Sequence, residues 1–179
     1  MEHIPVNKSI RLETVKLSMA SVIFDTIERD RKHLQTWLPF VEMTQKISDT
    51  EKFIQSIVNQ PPGKKDDIYS IWFNEEFAGL IGFKDTDWIN KKTELGYWLA
   101  ENMQGKGIVT LCLRKLIRYT FQKLKLNRIQ IKVAVGNTKS AAIPKKLGFV
   151  FEGIERAGEL NNQKYHNLEI YSLLKKDMQ

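Results

Sequence analysis

The chain has a single cysteine, Cys112, among its 179 residues. It therefore has no internal disulfide, which fits a reducing, cytoplasmic compartment. Its three histidines, His3, His33 and His166, are too far apart in sequence for a metal-ligand spacing, so no metal is expected. No apolar run approaches the roughly 18 residues of a membrane span. Met1-Glu2-His3-Ile4-Pro5 has neither the basic start nor the apolar core of a secretory leader. Repeats, linkers and low-complexity segments are also missing, and residues 1–179 read as one domain long enough to bury a core. Acid is scarce in one half only. Residues 1–100 hold 13 Lys/Arg against 15 Asp/Glu, and residues 101–179 hold 15 against 6. A solvated basic helix face accounts for that excess, and so does attraction for a polyanion. Nucleic acid is the weaker candidate because no nucleic-acid motif accompanies the charge, whereas a phosphorylated cofactor would serve as well.

What is present reads as alternating elements. Ser9–Glu13 predicts a short strand, and Ala20, Ile23, Phe24 and Ile27 share one face of a helix beginning near Ser18. A second helical piece runs from Asp30 to Trp37, where Pro39 stops it. Ser48-Asp49-Thr50-Glu51 matches a capping box, ahead of an apolar face of Phe53, Ile54, Ile57 and Val58. Pro61-Pro62-Gly63 ends that helix, and Lys64–Asp67 forms a solvated turn. Ile68–Phe73 and Phe77–Lys84 predict a hairpin about Asn74–Glu76, followed by a strand at Thr93–Ala100. A long helix buries Leu113, Leu116, Ile117, Phe121 and Leu124. In Asn127–Val135, the residues Ile129, Ile131, Val133 and Val135 alternate with polar neighbours as in a half-buried strand. A helix over Thr138–Leu147 ends at Gly148, and Phe149–Glu155 and His166–Leu174 predict a closing strand pair. Strand, turn, helix and strand from Thr93 to Val135 form a crossover, which predicts parallel neighbours.

The turn before the long helix is Gln104-Gly105-Lys106-Gly107-Ile108-Val109. Glycines let a ligand approach the backbone, and the helix start behind them offers N–H groups and a favourable dipole to a phosphate. A triphosphate loop fails, because with Lys106 as its lysine the first glycine position is Ala100 and the hydroxyl position is Gly107. A dinucleotide fingerprint fails at Thr110. The pattern Gln/Arg-x-x-Gly-x-Gly/Ala fits at Gln104 and Gly107, with Val109 as its imperfect last position.

Four segments in order resemble the GNAT superfamily of acetyl-CoA-dependent N-acetyltransferases: Glu94-Leu95-Gly96-Tyr97-Trp98-Leu99, the Gln104–Val109 turn, Asn137 with Ser140, and Lys146-Leu147-Gly148-Phe149 with Glu152-Gly153. The chain is most similar to the RimL-type branch, which acetylates N-terminal amines of ribosomal proteins. The resemblance implies a mixed α/β fold: a mostly antiparallel sheet with one splayed parallel strand pair, flanked by helices. It also implies acetyl-CoA as co-substrate, with no metal. The amides of Gly105, Lys106, Gly107, Ile108 and Val109 would bind the CoA pyrophosphate, with Gln104 opening the motif and Thr110 opening the helix. The backbone of Trp98, Leu99 and Ala100 would pair with the pantetheine arm, and Asn137 would hydrogen-bond it.

Acyl transfer requires loss of a proton from the amine, donors to the oxyanion and a proton for the leaving thiolate. The resemblance offers a backbone N–H at Trp98 or Leu99 for the oxyanion. It offers two glutamates for the base: Glu94 on the strand, and Glu159 in a Gly158–Asn161 loop. Many members carry a tyrosine acid seven residues after the motif asparagine; here that position is Pro144, which leaves Ser140. A surface glutamate, a helix-capping serine and a turn-forming asparagine are the structural alternatives for these residues. Trp37, Trp72 and Trp88 stand as acceptor-side aromatics or as core. The favoured acceptor is a protein N-terminus, with a small amine such as a polyamine or antibiotic as the alternative. Outside catalysis the alternative is an acyl-CoA-sensing or nucleic-acid-binding module, and the branch suggests a homodimer.

Overall fold

The computed structural model describes residues 3–61 and 66–178. Residues 62–65, with half of the predicted solvated turn, lie outside the described residues. Eight strands are hydrogen-bonded in the order β1-β2-β3-β4-β5-β6-β8-β7. They are β1 (His3–Pro5), β2 (Ile10–Thr14), β3 (Ile68–Phe73), β4 (Glu76–Asp87), β5 (Lys92–Leu99), β6 (Arg128–Ala134), β7 (Val150–Asn161) and β8 (Lys164–Leu174). The helices are α1 (Ala20–Arg29), α2 (Arg31–Leu34), α3 (Phe40–Met43), α4 (Ile47–Val58), α5 (Ile108–Gln122) and α6 (Thr138–Lys146). Strands β5 and β6 pair in parallel, as the crossover predicts. Their pairing runs from Lys92↔Arg128 to Glu94↔Gln130, although β5 continues to Leu99 and β6 to Ala134. This is the splayed pair of the expected fold.

The chain forms two compact units, Met1–Gly82 with Tyr97–Ile108, and Phe83–Gly96 with Val109–Gln179. The first is built around Met19, Ile23, Ile27, Leu34, Val41, Ile54, Ile57, Phe77 and Trp98. Burial of each such side chain stabilises the unit by about 1.5–3 kcal/mol. β1 escapes the sequence pattern because three residues with one buried side chain, Ile4, carry no periodicity. Pro39 does not simply stop a helix: α2 ends at Leu34, and Pro39 stands just before α3. There its missing N–H removes no helical bond. α4 begins one residue before the predicted Ser48 cap. Asp49 reaches back to accept the N–H groups of Gln45 (3.0 Å) and Lys46 (3.1 Å). Ile54 and Ile57 are buried, whereas Phe53 and Val58 of the predicted apolar face are exposed.

In the second unit α5 buries Cys112, Leu113, Leu116, Ile117 and Phe121, while Leu124 lies beyond its end and is only half-buried. Strand β6 buries Ile129, Ile131 and Val133; Val135 follows the strand and is exposed. The closing hairpin is longer than predicted, because β7 runs on to Asn161 and turns through Asn162 (φ 50°) and Gln163 (φ 59°). Both turn residues lie in the left-handed region that a two-residue hairpin requires.

Candidate functional site

The glycine turn starts from a 3-10 turn over Glu101–Met103. Gly105 (φ 74°) and Gly107 (φ 72°) are both left-handed, and a Cβ built on either would meet nothing within 4 Å. The glycines are thus required by backbone conformation, and the space before them is open. Gly105, Lys106 and Gly107 are exposed, Ile108 and Val109 are buried, and Thr110 is half-buried in the first turn of α5. A helix start leaves its first N–H groups without intrahelical acceptors. The buried apolar side chains of Ile108 and Val109 anchor the helix start, leaving these N–H groups as donors for an anion. No acidic residue stands in that first turn to compete. Lys106 lies back against the protein, its Nζ 5.4 Å from the Phe73 ring centre and 3.8 Å from Met103 Sδ.

Two residues that sequence reasoning missed hold this turn. Asp30, at the end of α1 and buried, accepts the Glu101 N–H at 2.8 Å. Its other contacts are Arg29 Nε at 2.8 Å and Nη2 at 3.0 Å. Arg29 chiefly, and then the Glu101 amide, hold the Asp30 carboxyl below the usual range. One turn further, His33 Nε2 lies 2.5 Å from Gln104 Nε2. The other ring nitrogen, Nδ1, lies 3.9 Å from Glu101 Oε1. Nothing in Asp30-Arg31-Lys32-His33 signals this, because the partners lie 71 residues away in sequence. Asp30→Ala removes a charged hydrogen bond worth about 1.5–3 kcal/mol. With the turn in the acetyl-CoA-binding role that the resemblance implies, KM for that co-substrate should rise roughly tenfold with a smaller change in kcat, as steady-state kinetics would show. The carboxyl is depressed in the fold, so its stabilisation is present above the ordinary aspartate pKa and fades as pH falls through the lowered one.

Ahead of the turn, Trp98 faces the core of the first unit, edge-on to Phe77 at 6.0 Å and tilted to Phe40 at 6.3 Å. Leu99 is half-buried, and Ala100 is fully buried, its N–H donated to Ala78 O at 2.8 Å. The register of β3 and β4 shifts between Ile71 and Trp72. Beside that bulge a Cβ on Gly79 would come 2.1 Å from Trp98 O. Only glycine permits this approach, which fixes the backbone of Trp98 and Leu99. Trp72 packs against Phe77 at 5.9 Å and beneath Arg11, so it is partly core, whereas Trp37 is half-buried and Trp88 exposed.

In the second unit the two candidate glutamates share one neighbourhood. Glu94 occupies the last paired position before β5 and β6 part. It is bound on both oxygens, by Lys84 Nζ at 3.7 Å and by Gln130 Nε2 at 3.4 Å. Glu159 is not in a loop: it lies within β7, opposite His166 of β8, just after an irregularity in that ladder. Ala157, within that irregularity, lies at φ 51°, and the turn-type residues Gly158 and Asn161 are what made the segment read as a loop. Burial pushes the Glu159 carboxyl up; Lys84 and His166 pull it down, and Glu94 adds a smaller upward push.

Asn137 caps α6, its Oδ1 accepting the Ser140 N–H at 3.1 Å. The capping role thus falls to Asn137, and Ser140 receives the cap through its backbone. Pro144, at the position where the resemblance implies a tyrosine in many members, stands inside α6 and has no N–H for the preceding turn. The helix closes with Phe149 N–H on Pro144 O (3.0 Å) and Gly148 N–H on Lys145 O (3.2 Å), with Gly148 at φ 81°. Glu152 is structural: it accepts from Arg128 and from Ser172 Oγ (2.7 Å), which hold its carboxyl at about 2.

Among the described residues no group of three or more His, Cys, Asp or Glu is placed to hold a metal ion. No described helix is long and apolar enough to cross a membrane. Cys112 is fully buried, and burial pushes its thiol up to about 12. It should therefore resist an aromatic disulfide reagent in the native protein and react at once in denaturant, as a thiol titration would show.

A model of the acetyltransferase (GNAT) domain matches residues 10–150. The Bacillus subtilis (strain 168) protein YdaF, a putative ribosomal N-acetyltransferase, is 35% identical over 176 residues, 96% of this chain and 94% of that one. The ribosomal-protein-serine acetyltransferase of Escherichia coli (strain K12) is 30% identical over 171 residues, 96% of each. Among solved structures, the ribosomal L7/L12 α-N-protein acetyltransferase RimL, bound to coenzyme A, is 27% identical. It matches with a TM-score of 0.93 over 98% of this chain and 99% of that one. The microcin C7 self-immunity acetyltransferase MccE, in complex with acetyl-CoA and AMP, is 31% identical with a TM-score of 0.91 over 97% and 96%. A spermidine N(1)-acetyltransferase of Vibrio cholerae matches only 44% of this chain and 46% of its own. With the parallel splay, the left-handed glycine turn and the family model in agreement, the chain belongs to the GNAT acetyltransferase family.

Proposed function

We propose that this acetyltransferase moves the acetyl group of acetyl-CoA to the N-terminal α-amine of a protein, with a ribosomal protein as acceptor. The observation that carries the acceptor class is the end-to-end match to the ribosomal-protein-serine acetyltransferase, against a match to under half of the spermidine enzyme. In this reading the amides of Gly105, Lys106, Gly107, Ile108 and Val109 hold the pyrophosphate, with Gln104 and Thr110 bounding them. The open left-handed turn supports that role. The edge at Trp98, Leu99 and Ala100 takes the pantetheine arm as an added strand, through groups other than the Ala100 N–H, which Ala78 O already holds. Asn137, its carbonyl used in the cap, offers its NH2 to the same arm.

The amine nitrogen attacks the thioester carbonyl while a backbone N–H of Trp98 or Leu99 donates to the developing oxyanion. Glu159 takes the amine proton through a water. Its raised carboxyl is better matched to an α-amine of pKa about 8 than an ordinary glutamate would be. Glu94, tied to Lys84 and Gln130, orients the site. As the C–S bond breaks, the Ser140 hydroxyl donates a hydrogen bond to the leaving thiolate and passes it a proton taken from solvent water, so that the serine ends neutral. A small-amine acceptor is the second reading, favoured by the full-length match to MccE.

The test is kcat/KM with a panel of free-amine peptides, the same peptides with blocked N-termini, spermidine and aminoacyl nucleotides. Free peptides should exceed the small amines by at least about tenfold, a gap of roughly 1.4 kcal/mol. Preference for a small amine, or turnover on blocked peptides through lysine, would contradict the proposed acceptor.

A further inference from the structure

Between Glu101 and Glu152 the sequence holds eleven Lys or Arg and no Asp or Glu. Two of these cations are paired, Arg128 with Glu152 and Lys132 with Glu155 at 2.7 Å. Five others, Arg114, Lys115 and Arg118 on α5 and Lys123 and Lys125 just beyond it, are exposed. Among the described residues none of these five is in an ion pair. An ordinary exposed helix offsets its lysines with glutamates one turn away. Here Arg114 and Arg118 are instead like charges one turn apart, an arrangement that opposes the helix carrying it. The helix dipole explains cations at the end of α5, but not Arg114 and Lys115 in its middle.

We infer that this outer face of α5 docks the phosphate backbone of RNA. A protein partner needs apolar or aromatic anchors in the middle of its interface. Among the described residues of α5, Leu111 alone is large, apolar and exposed, and Tyr119 is turned against Phe83, with ring centres 6.4 Å apart. Phosphate binding needs only the cations and is independent of base sequence. The choice of RNA over other polyanions rests on the ribosomal acceptor proposed above; the charge of the strip does not.

The experiment is anisotropy of a fluorescein-labelled single-stranded RNA titrated with the full chain, with coenzyme A saturating so that its own phosphate site is filled. Five phosphate contacts predict a slope of about −3.5 in log K against log salt. The double variant R114Q/R118Q removes two of them and should flatten that slope by about 1.4 while keeping its melting temperature and its turnover on a free peptide. Poly-glutamate should displace the RNA only at a much higher charge concentration. Salt-independent or absent RNA binding, an unchanged slope in the variant, or equal displacement by poly-glutamate would each overturn the inference. The binding assay contains no acceptor, so a wrong acceptor leaves it readable, and a failure here leaves the peptide kinetics untouched.

Discussion

Replacing Gly107 with glutamate is expected to abolish acetyl-CoA binding while the chain stays folded. The backbone there is left-handed at φ 72°, so any side chain adds about 1–2 kcal/mol of strain. In a chain of this size that lowers Tm by roughly 2–8 °C and does not unfold it. The new side chain meets no protein atom, since nothing lies within 4 Å of its Cβ. It projects instead into the space proposed for the pyrophosphate, where like charge costs several kcal/mol and cuts affinity by roughly a thousandfold or more. Gly107→Ala carries the strain without the charge and separates the two effects. Calorimetric titration with coenzyme A, beside a thermal melt of each variant, reads both. Near-normal affinity in Gly107→Glu would remove the turn from the binding site.

The second large effect is expected at Glu159. Glu159→Gln should lower kcat about a hundredfold, the lower end of what a positioned base contributes, with little change in KM for acetyl-CoA. Glu94→Gln should cost less, because Glu94 is held by Lys84 and Gln130 and acts through its neighbours. In the wild type, kcat should climb with pH through a limb lying above the ordinary glutamate range, because burial raises the Glu159 carboxyl. The variant should lose that limb. Stability runs the other way. A carboxyl raised in the fold favours the folded state while protonated, and that advantage is lost as pH rises from the unfolded glutamate pKa through the folded one. Glu159→Gln should therefore melt higher than wild type near neutral pH and equally in acid. A variant with full turnover would return Glu159 to a structural role.

Local elements were legible in the sequence where one periodicity ruled. Ile129, Ile131 and Val133 alternate because one face of β6 is buried and the other is not, and Ile68–Phe73 matches β3 residue for residue. Local signals misled where tertiary pairing overrode them. Gly158 and Asn161 look like a loop, yet β8 supplies partners that keep Glu159 in a strand. Ser48 looks like a cap, but Asp49 accepts the Gln45 and Lys46 N–H groups and the helix starts at Ile47. The glycine turn was readable because φ above zero demands a particular residue type. Asp30 and His33 were not, because their partners at Glu101 and Gln104 come near only through the fold. The chemistry of the donor was therefore more legible than the support beneath it, and the acceptor less legible than either.

Acetyl transfer to a protein N-terminus is tested most directly by incubating the purified chain and acetyl-CoA with ribosomal proteins from cells lacking it, then locating the new acetyl groups by mass spectrometry. Acetylation of an N-terminal α-amine is the predicted result, absent with Gly107→Glu and strongly reduced with Glu159→Gln. Acetyl groups found only on lysine side chains, or transfer only to small amines added to the same mixture, would contradict it.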